Sequence, residues 1–180
     1  MGEIIDHAAE YATVERLAEM LRTAREDYKA TEAYALFGAI VCWVMQRART
    51  PEHENAIGDQ NARLVRDVLN AAALADAPWA IQSARGLSVF QFFKEIRDSF
   101  AHGDARRVRP LNQNGILRGY SFDLRDQHNG PVLETISLIR ADMTRLGVSL
   151  ADTYCRAMKQ EPGSAGLEQR AHAISEEVAA

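Results

Sequence analysis

Residues 88–110, SVFQFFKEIRDSFAHGDARRVRP, are the segment from which the rest of the chain is read, because here an apolar helix carries a charge on its inner side. Ser88 followed three residues later by Gln91 is a capping box, which predicts a helix starting at Val89. At 100° per residue, Val89, Phe93, Ile96 and Phe100 share one side, and Arg97 falls within about 40° of Phe93 on that side. A guanidinium cannot give up its charge, so it needs either a buried carboxylate or a cleft that receives an anion. His102 lies five positions further, about 140° round a straight helix, and there it would not address the same ligand. Gly103 changes that expectation. A glycine just past a helix end favours a left-handed cap, which turns the chain at His102 and lets Arg97 and His102 line one rim.

Working outward, Ile4, Ala8, Tyr11, Val14, Leu17 and Leu21 recur at helical spacing and predict a first amphipathic helix ending near Arg25. Thr31 is an acceptable N-cap for a second helix, apolar on nearly every side from Ala33 to Met45, as expected of a central or partner-shared helix. Gln46, Arg47 and Arg49 mark its exit, and Thr50-Pro51 opens a third helix whose stripe includes Ile57, Val65 and Leu69. Asp76-Ala77-Pro78 closes it. After the central segment, Arg106 to Pro110 and Leu111 to Gly115 read as loop. Ile116, Tyr120, Phe122 and Leu124 alternate with polar residues and predict a strand, Asn129-Gly130-Pro131 a turn, and Val132 to Leu138 the returning strand. Ile139, Met143, Leu146, Leu150, Tyr154 and Met158 predict a last amphipathic helix. The expected fold is all-α: an up-and-down bundle of four to five main helices, with a small β-hairpin inserted before the last. Residues 1–159 form one helical domain, and the Glu-Pro-Gly-Ser composition beyond Gln160 makes 160–180 a flexible tail.

Bulk properties narrow the function. Of the 180 residues 47% are hydrophobic and 26% charged, ordinary globular proportions, and the net charge is −4, so any anion site must be local. The two cysteines, Cys42 and Cys155, lie in helical apolar contexts without metal-ligand or disulfide-framework spacing and read as buried reduced thiols. The N-terminus lacks the basic and apolar regions of a signal peptide, and Asp6 breaks the myristoylation pattern. No apolar run approaches the roughly 20 residues of a membrane span, so a cytoplasmic protein with no membrane partner is expected. His7, His53, His128 and His172 do not converge with cysteines or carboxylates, and neither a metal nor a cofactor is expected.

The run Arg97-Asp98-Ser99-Phe100-Ala101-His102, followed by Gly103 and Asp104, sits in an aromatic-rich helix. Upstream an apolar helix ends Cys42-Trp43-Val44-Met45-Gln46-Arg47, and downstream lies the final amphipathic helix. Over Thr31 to Met158 this pattern resembles the HEPN superfamily, the higher eukaryotes and prokaryotes nucleotide-binding domains. These are small helical bundles, many of them metal-independent ribonucleases and toxins, with a motif of arginine, polar residue, three-residue spacer and histidine. The resemblance implies that Arg97 holds the phosphate, His102 transfers the proton and Asp98 orients the pair, although asparagine is the residue common at that position in active relatives.

Metal-free RNA cleavage by the 2′-hydroxyl asks for a base, an acid and positive charge on the phosphorane. Histidine and arginine supply these functions, but one copy of each is half the set, so a homodimer with the site at its twofold axis is expected. Between Lys94 and Arg118 six positive residues face three acidic ones, and Arg106, Arg107, Arg109 and Arg118 are candidate contacts to the RNA backbone. A solvated basic face explains the same residues. Tyr120 and Phe122 either stack on unpaired bases or pack the hairpin onto the helices. The expected function is therefore a dimeric endoribonuclease leaving 2′,3′-cyclic phosphates, in a toxin or defence role with an antitoxin or other regulatory partner. Two other readings stay open: a catalytically inactive HEPN-like module that binds a nucleotide or a protein, and a structural dimer built on the Ala33–Met45 helix.

Overall fold

The capping box forms as its residues dictate. In the computed structural model, which describes residues 7–23, 29–48, 60–101, 107–127 and 130–159, the Gln91 N–H donates to Ser88 Oγ at 3.2 Å and the Ser88 N–H donates to Gln91 Oε1 at 3.1 Å. The helix that follows runs Val89–Ala101. In chain order the elements are α1 (His7–Thr23), α2 (Lys29–Ala48), α3 (Gln60–Ala71), α4 (Val89–Ala101), β1 (Val108–Gln113), β2 (Ile116–Leu124), β3 (Glu134–Ile139) and α5 (Arg140–Lys159). Helix α2 begins two residues ahead of the Thr31 cap expected from the sequence. The Thr50-Pro51 helix start and the 160–180 tail lie outside the described residues.

The all-α expectation is corrected. The chain has a three-stranded antiparallel sheet of order β1-β2-β3 against the helices, a mixed α/β architecture. The two strands read from alternation are present as β2 and β3, but the segment read as loop supplies a third strand, β1. Its composition concealed it: VRPLNQ has a proline and an arginine and no alternating apolar stripe. The backbone explains why proline is tolerated. The Asp123 N–H donates to the Arg107 carbonyl at 2.8 Å, and the Leu133 N–H donates to the Leu124 carbonyl at 3.0 Å. Odd-numbered residues of β2 thus point their backbone groups at β1 and even-numbered ones at β3. Pro110 pairs with Tyr120, so the N–H it lacks would have pointed away from β2 on the outer edge.

Helix α2 is the centre of the molecule, in contact with α1, α3, α4, α5 and β2. Phe37, Ile40, Val41 and Val44 are wholly buried, and against them pack Phe93 and Ile96 of α4 and Leu146 and Leu150 of α5. Two glycines set how closely helices approach. A Cβ at Gly147 of α5 would lie 2.7 Å from Leu21 Cδ2 and 3.2 Å from Phe37 Cδ2, and one at Gly38 of α2 would lie 2.6 Å from Phe100 Cε1. The inner face of the sheet adds Phe122, Leu124, Ile136 and Leu138 to the same core.

The segment between α3 and α4 is tied down by charged side chains. Arg145 of α5 donates to the carbonyls of Pro78 and Ala80, and the Glu134 carboxylate accepts from the Ser83 hydroxyl and the Ala84 N–H, both at 2.8 Å. Trp79, buried in this segment, meets Phe93 edge-on with ring centroids 5.8 Å apart. Through these ties the segment delivers the chain to Ser88 and so positions α4.

Candidate functional site

On α2, Ala39, Cys42, Trp43 and Gln46 are spaced i, i+3, i+4 and i+7, which brings them to one face of the helix. That face, with Leu17 of α1 and Arg97 and Ala101 of α4, lines a groove of about 620 Å3. It is apolar except at one end, where Arg97 stands. Arg97 Nη2–H donates to Gln46 Oε1 at 2.8 Å and Nη1–H donates to Asp98 Oδ1 at 3.1 Å. The Arg97 side chain keeps 21% of its accessible surface. Of the two partners that the sequence allowed for it, a buried carboxylate or a cleft, Arg97 has the cleft, with Asp98 as a partly buried carboxylate neighbour on the same helix. The buried carboxylate of α4 is Glu95, 5% exposed, and it pairs with Arg85 at 2.6 Å instead.

His102 lies outside the described residues, immediately after Ala101, which itself lines the groove. Cys42, also in the lining, is no nucleophile in this setting. Burial pushes its thiol above the ordinary value; Arg97 opposes the shift and Asp98 adds to it. Burial likewise pushes Cys155, which is not among the residues lining the groove, to about 12, so both thiols stay protonated at neutral pH. Among the described residues no three His, Cys, Asp or Glu side chains converge as a metal-binding group.

Of the four arginines considered for RNA contact, the three described ones differ in setting. Arg106 falls outside the described residues, Arg107 is buried at 5% exposure, and Arg118 is exposed on β2. Arg109 is engaged on the outer face of the sheet by Asp123, in a bidentate pair of 2.6 and 2.7 Å. Those hydrogen bonds hold the Asp123 carboxyl below the ordinary carboxylate range, against the opposing effect of its burial, and a 2.6 Å bond from the Thr135 hydroxyl assists. Tyr120 stacks on Tyr34 with centroids 4.0 Å apart, and Phe122 is wholly buried, so both pack the sheet onto α2 and α4.

Sequence reasoning singled out Arg97 and Asp98 but not Gln46 and Trp43, the residues that complete the groove. The available signal was the 39, 42, 43, 46 stripe of α2, hidden because the whole helix is apolar. Compared with protein-family models, curated proteins and solved structures, the chain matches none.

Proposed function

We propose that the chain is a metal-independent endoribonuclease of HEPN type, acting as a homodimer whose two Arg97–His102 sets face one another. The observation that supports this reading is the state of Arg97. Two of its five N–H groups are held by Gln46 and Asp98 at the rim of an open groove, which fixes the guanidinium plane, while among the described residues nothing else takes its other three donors, which suit phosphate oxygens. Trp43, 40% exposed beside it, and Met20, 46% exposed on α1, supply apolar surface for the second copy.

In the reaction, the 2′-oxygen attacks the adjacent phosphorus, one copy's His102 accepts the 2′-hydroxyl proton, and the other copy's His102 protonates the departing 5′-oxygen. The products are a 2′,3′-cyclic phosphate and a 5′-hydroxyl. The two Arg97 side chains balance the charge that develops on the phosphorane. Such an activity needs restraint in its host, so a cytoplasmic toxin or defence role with an antitoxin partner belongs to the proposal.

One observation favours a second reading. Asp98 neutralises Arg97 locally and the groove is mostly apolar, features suited to an inactive module that binds a nucleotide or a protein. Incubating mixed RNA in EDTA with the wild type, Arg97→Ala and His102→Ala separates the two. Cleavage to cyclic-phosphate ends, lost by about 10² to 10⁴ in each variant, is expected. Absence of cleavage, or cleavage that survives both substitutions, refutes the nuclease assignment.

A further inference from the structure

Among the described residues that line the Arg97 groove, Gln46 alone carries a side-chain oxygen. That oxygen accepts from Arg97 Nη2 at 2.8 Å, from α2 across to α4. The other bond of the guanidinium, 3.1 Å to Asp98, comes from the next residue of the same helix. A contact of α4 with itself cannot fix where the guanidinium stands relative to α2. Bonds at two different nitrogens, from two elements, remove both the swing of the long side chain and the rotation of its plane, whereas either bond alone leaves a hinge.

The chemistry of the acceptor is equally specific. A glutamate has the same reach, and a charge-assisted bond is about twice as strong as a neutral one, so a carboxylate at position 46 would hold Arg97 more tightly. Asp98, however, already sets one negative charge against Arg97. A second would leave the rim with an excess of negative charge and repel an oxyanion. The amide of Gln46 holds the guanidinium without adding charge. Gln46 is exposed, and a hydrogen bond open to water contributes little net stability, so the consequence of this bond lies in orientation rather than folding.

We propose that Gln46 is the positioning residue of an oxyanion site on Arg97: its neutral amide holds the guanidinium in one plane at the groove rim, aimed at two oxygens of a phosphate diester. This role rests on the reading of Arg97 as the phosphate-holding residue, and Gln46 acts through Arg97 rather than on the reacting atoms.

The test uses the full-length chain and nuclear magnetic resonance of the arginine side chains, with Arg97→Ala assigning the signals. A held guanidinium gives separate signals for its Nη1 and Nη2 protons at low temperature, and a freely rotating one gives an averaged signal. The wild type is expected to show separate Arg97 signals that shift on titration with inorganic phosphate. Gln46→Leu, at wild-type Tm, is expected to show an averaged signal and about tenfold weaker phosphate binding. Gln46→Glu is expected to keep the separate signals and still lose about tenfold in phosphate affinity, which a merely structural role would not do. If Gln46→Leu lowers Tm, the unbranched Gln46→Met is read in the same way. Separate signals that persist in Gln46→Leu, or wild-type phosphate affinity in either variant, overturn the proposal. Arg97 signals in the wild type that ignore phosphate overturn it together with the phosphate-holding role. RNA cleavage in EDTA by the same proteins separates the two readings. Phosphate binding that depends on Gln46, without cleavage, refutes the nuclease and leaves the positioning role standing. Cleavage that is lost in Arg97→Ala but undiminished in Gln46→Leu refutes the positioning role and leaves the nuclease.

Discussion

Replacing Gly38 by alanine tests the crossing of α2 and α4, on which the Arg97 site depends. Two effects oppose each other. Alanine is better than glycine inside a helix by about 1 kcal/mol, so propensity alone makes the variant more stable. The added methyl, however, would lie 2.6 Å from Phe100 Cε1 and 3.0 Å from Cδ1 and Cζ. Carbon atoms rest at about 3.5–4.0 Å, so the ring or the helix must retreat by roughly 1 Å. The ring has little freedom to do so. Tyr34, Phe37 and Phe122 surround it at centroid distances of 5.0, 6.1 and 5.6 Å. Overpacking in such a setting costs about 1–3 kcal/mol, which outweighs the propensity gain and leaves a net loss of about 1 kcal/mol. For a chain of this length that lowers Tm by roughly 2–4 °C. Phe100 is one turn from Arg97 on α4, so the same retreat also lengthens the Arg97–Gln46 bond. Thermal and urea unfolding of Gly38→Ala, Phe100→Leu and the double variant would measure the effect, with the double variant more stable than the sum of the singles by about 1 kcal/mol. A Gly38→Ala chain that is more stable than the wild type, or strict additivity in the cycle, refutes the account of this crossing.

Two further predictions concern local electrostatics and capping. Ser88→Ala removes the acceptor for the Gln91 N–H and is expected to cost about 1 kcal/mol in urea unfolding; an unchanged midpoint would show that the cap contributes nothing. The Asp123 carboxyl is held below its ordinary value by Arg109, so its contribution to stability is fully present above about pH 4 and is lost as pH falls through the lower folded-state value. Urea midpoints between about pH 6 and about pH 3 should fall more steeply for the wild type than for Asp123→Asn, and equal slopes would contradict the pairing.

The sequence by itself determined those elements whose signal is local. Ser88 and Gln91 start α4 because a capping box spans one helical turn, and the alternation through Tyr120, Phe122 and Leu124 marks β2 because its inner face packs on helices. The spacing from Met143 to Met158 marks α5 for the same kind of reason. The presence of Arg97 and Asp98 was legible, and so was the need of a core-side guanidinium for a partner. Only the tertiary structure decided what that partner is: Gln46, 51 residues away on α2, together with a groove that α1 helps to wall. It likewise decided that Glu95 goes to Arg85 and that Arg109 goes to Asp123, which removes Arg109 from any simple basic patch. β1 was illegible because an edge strand buries little and so carries little alternation, and its proline is acceptable only because of the direction in which its nitrogen points. The physical reason is common to all of these. Capping and helical or strand periodicity are interactions over a few residues, written in consecutive positions, whereas an edge pairing or a long-range ion pair depends on which segments the shared core has already brought together.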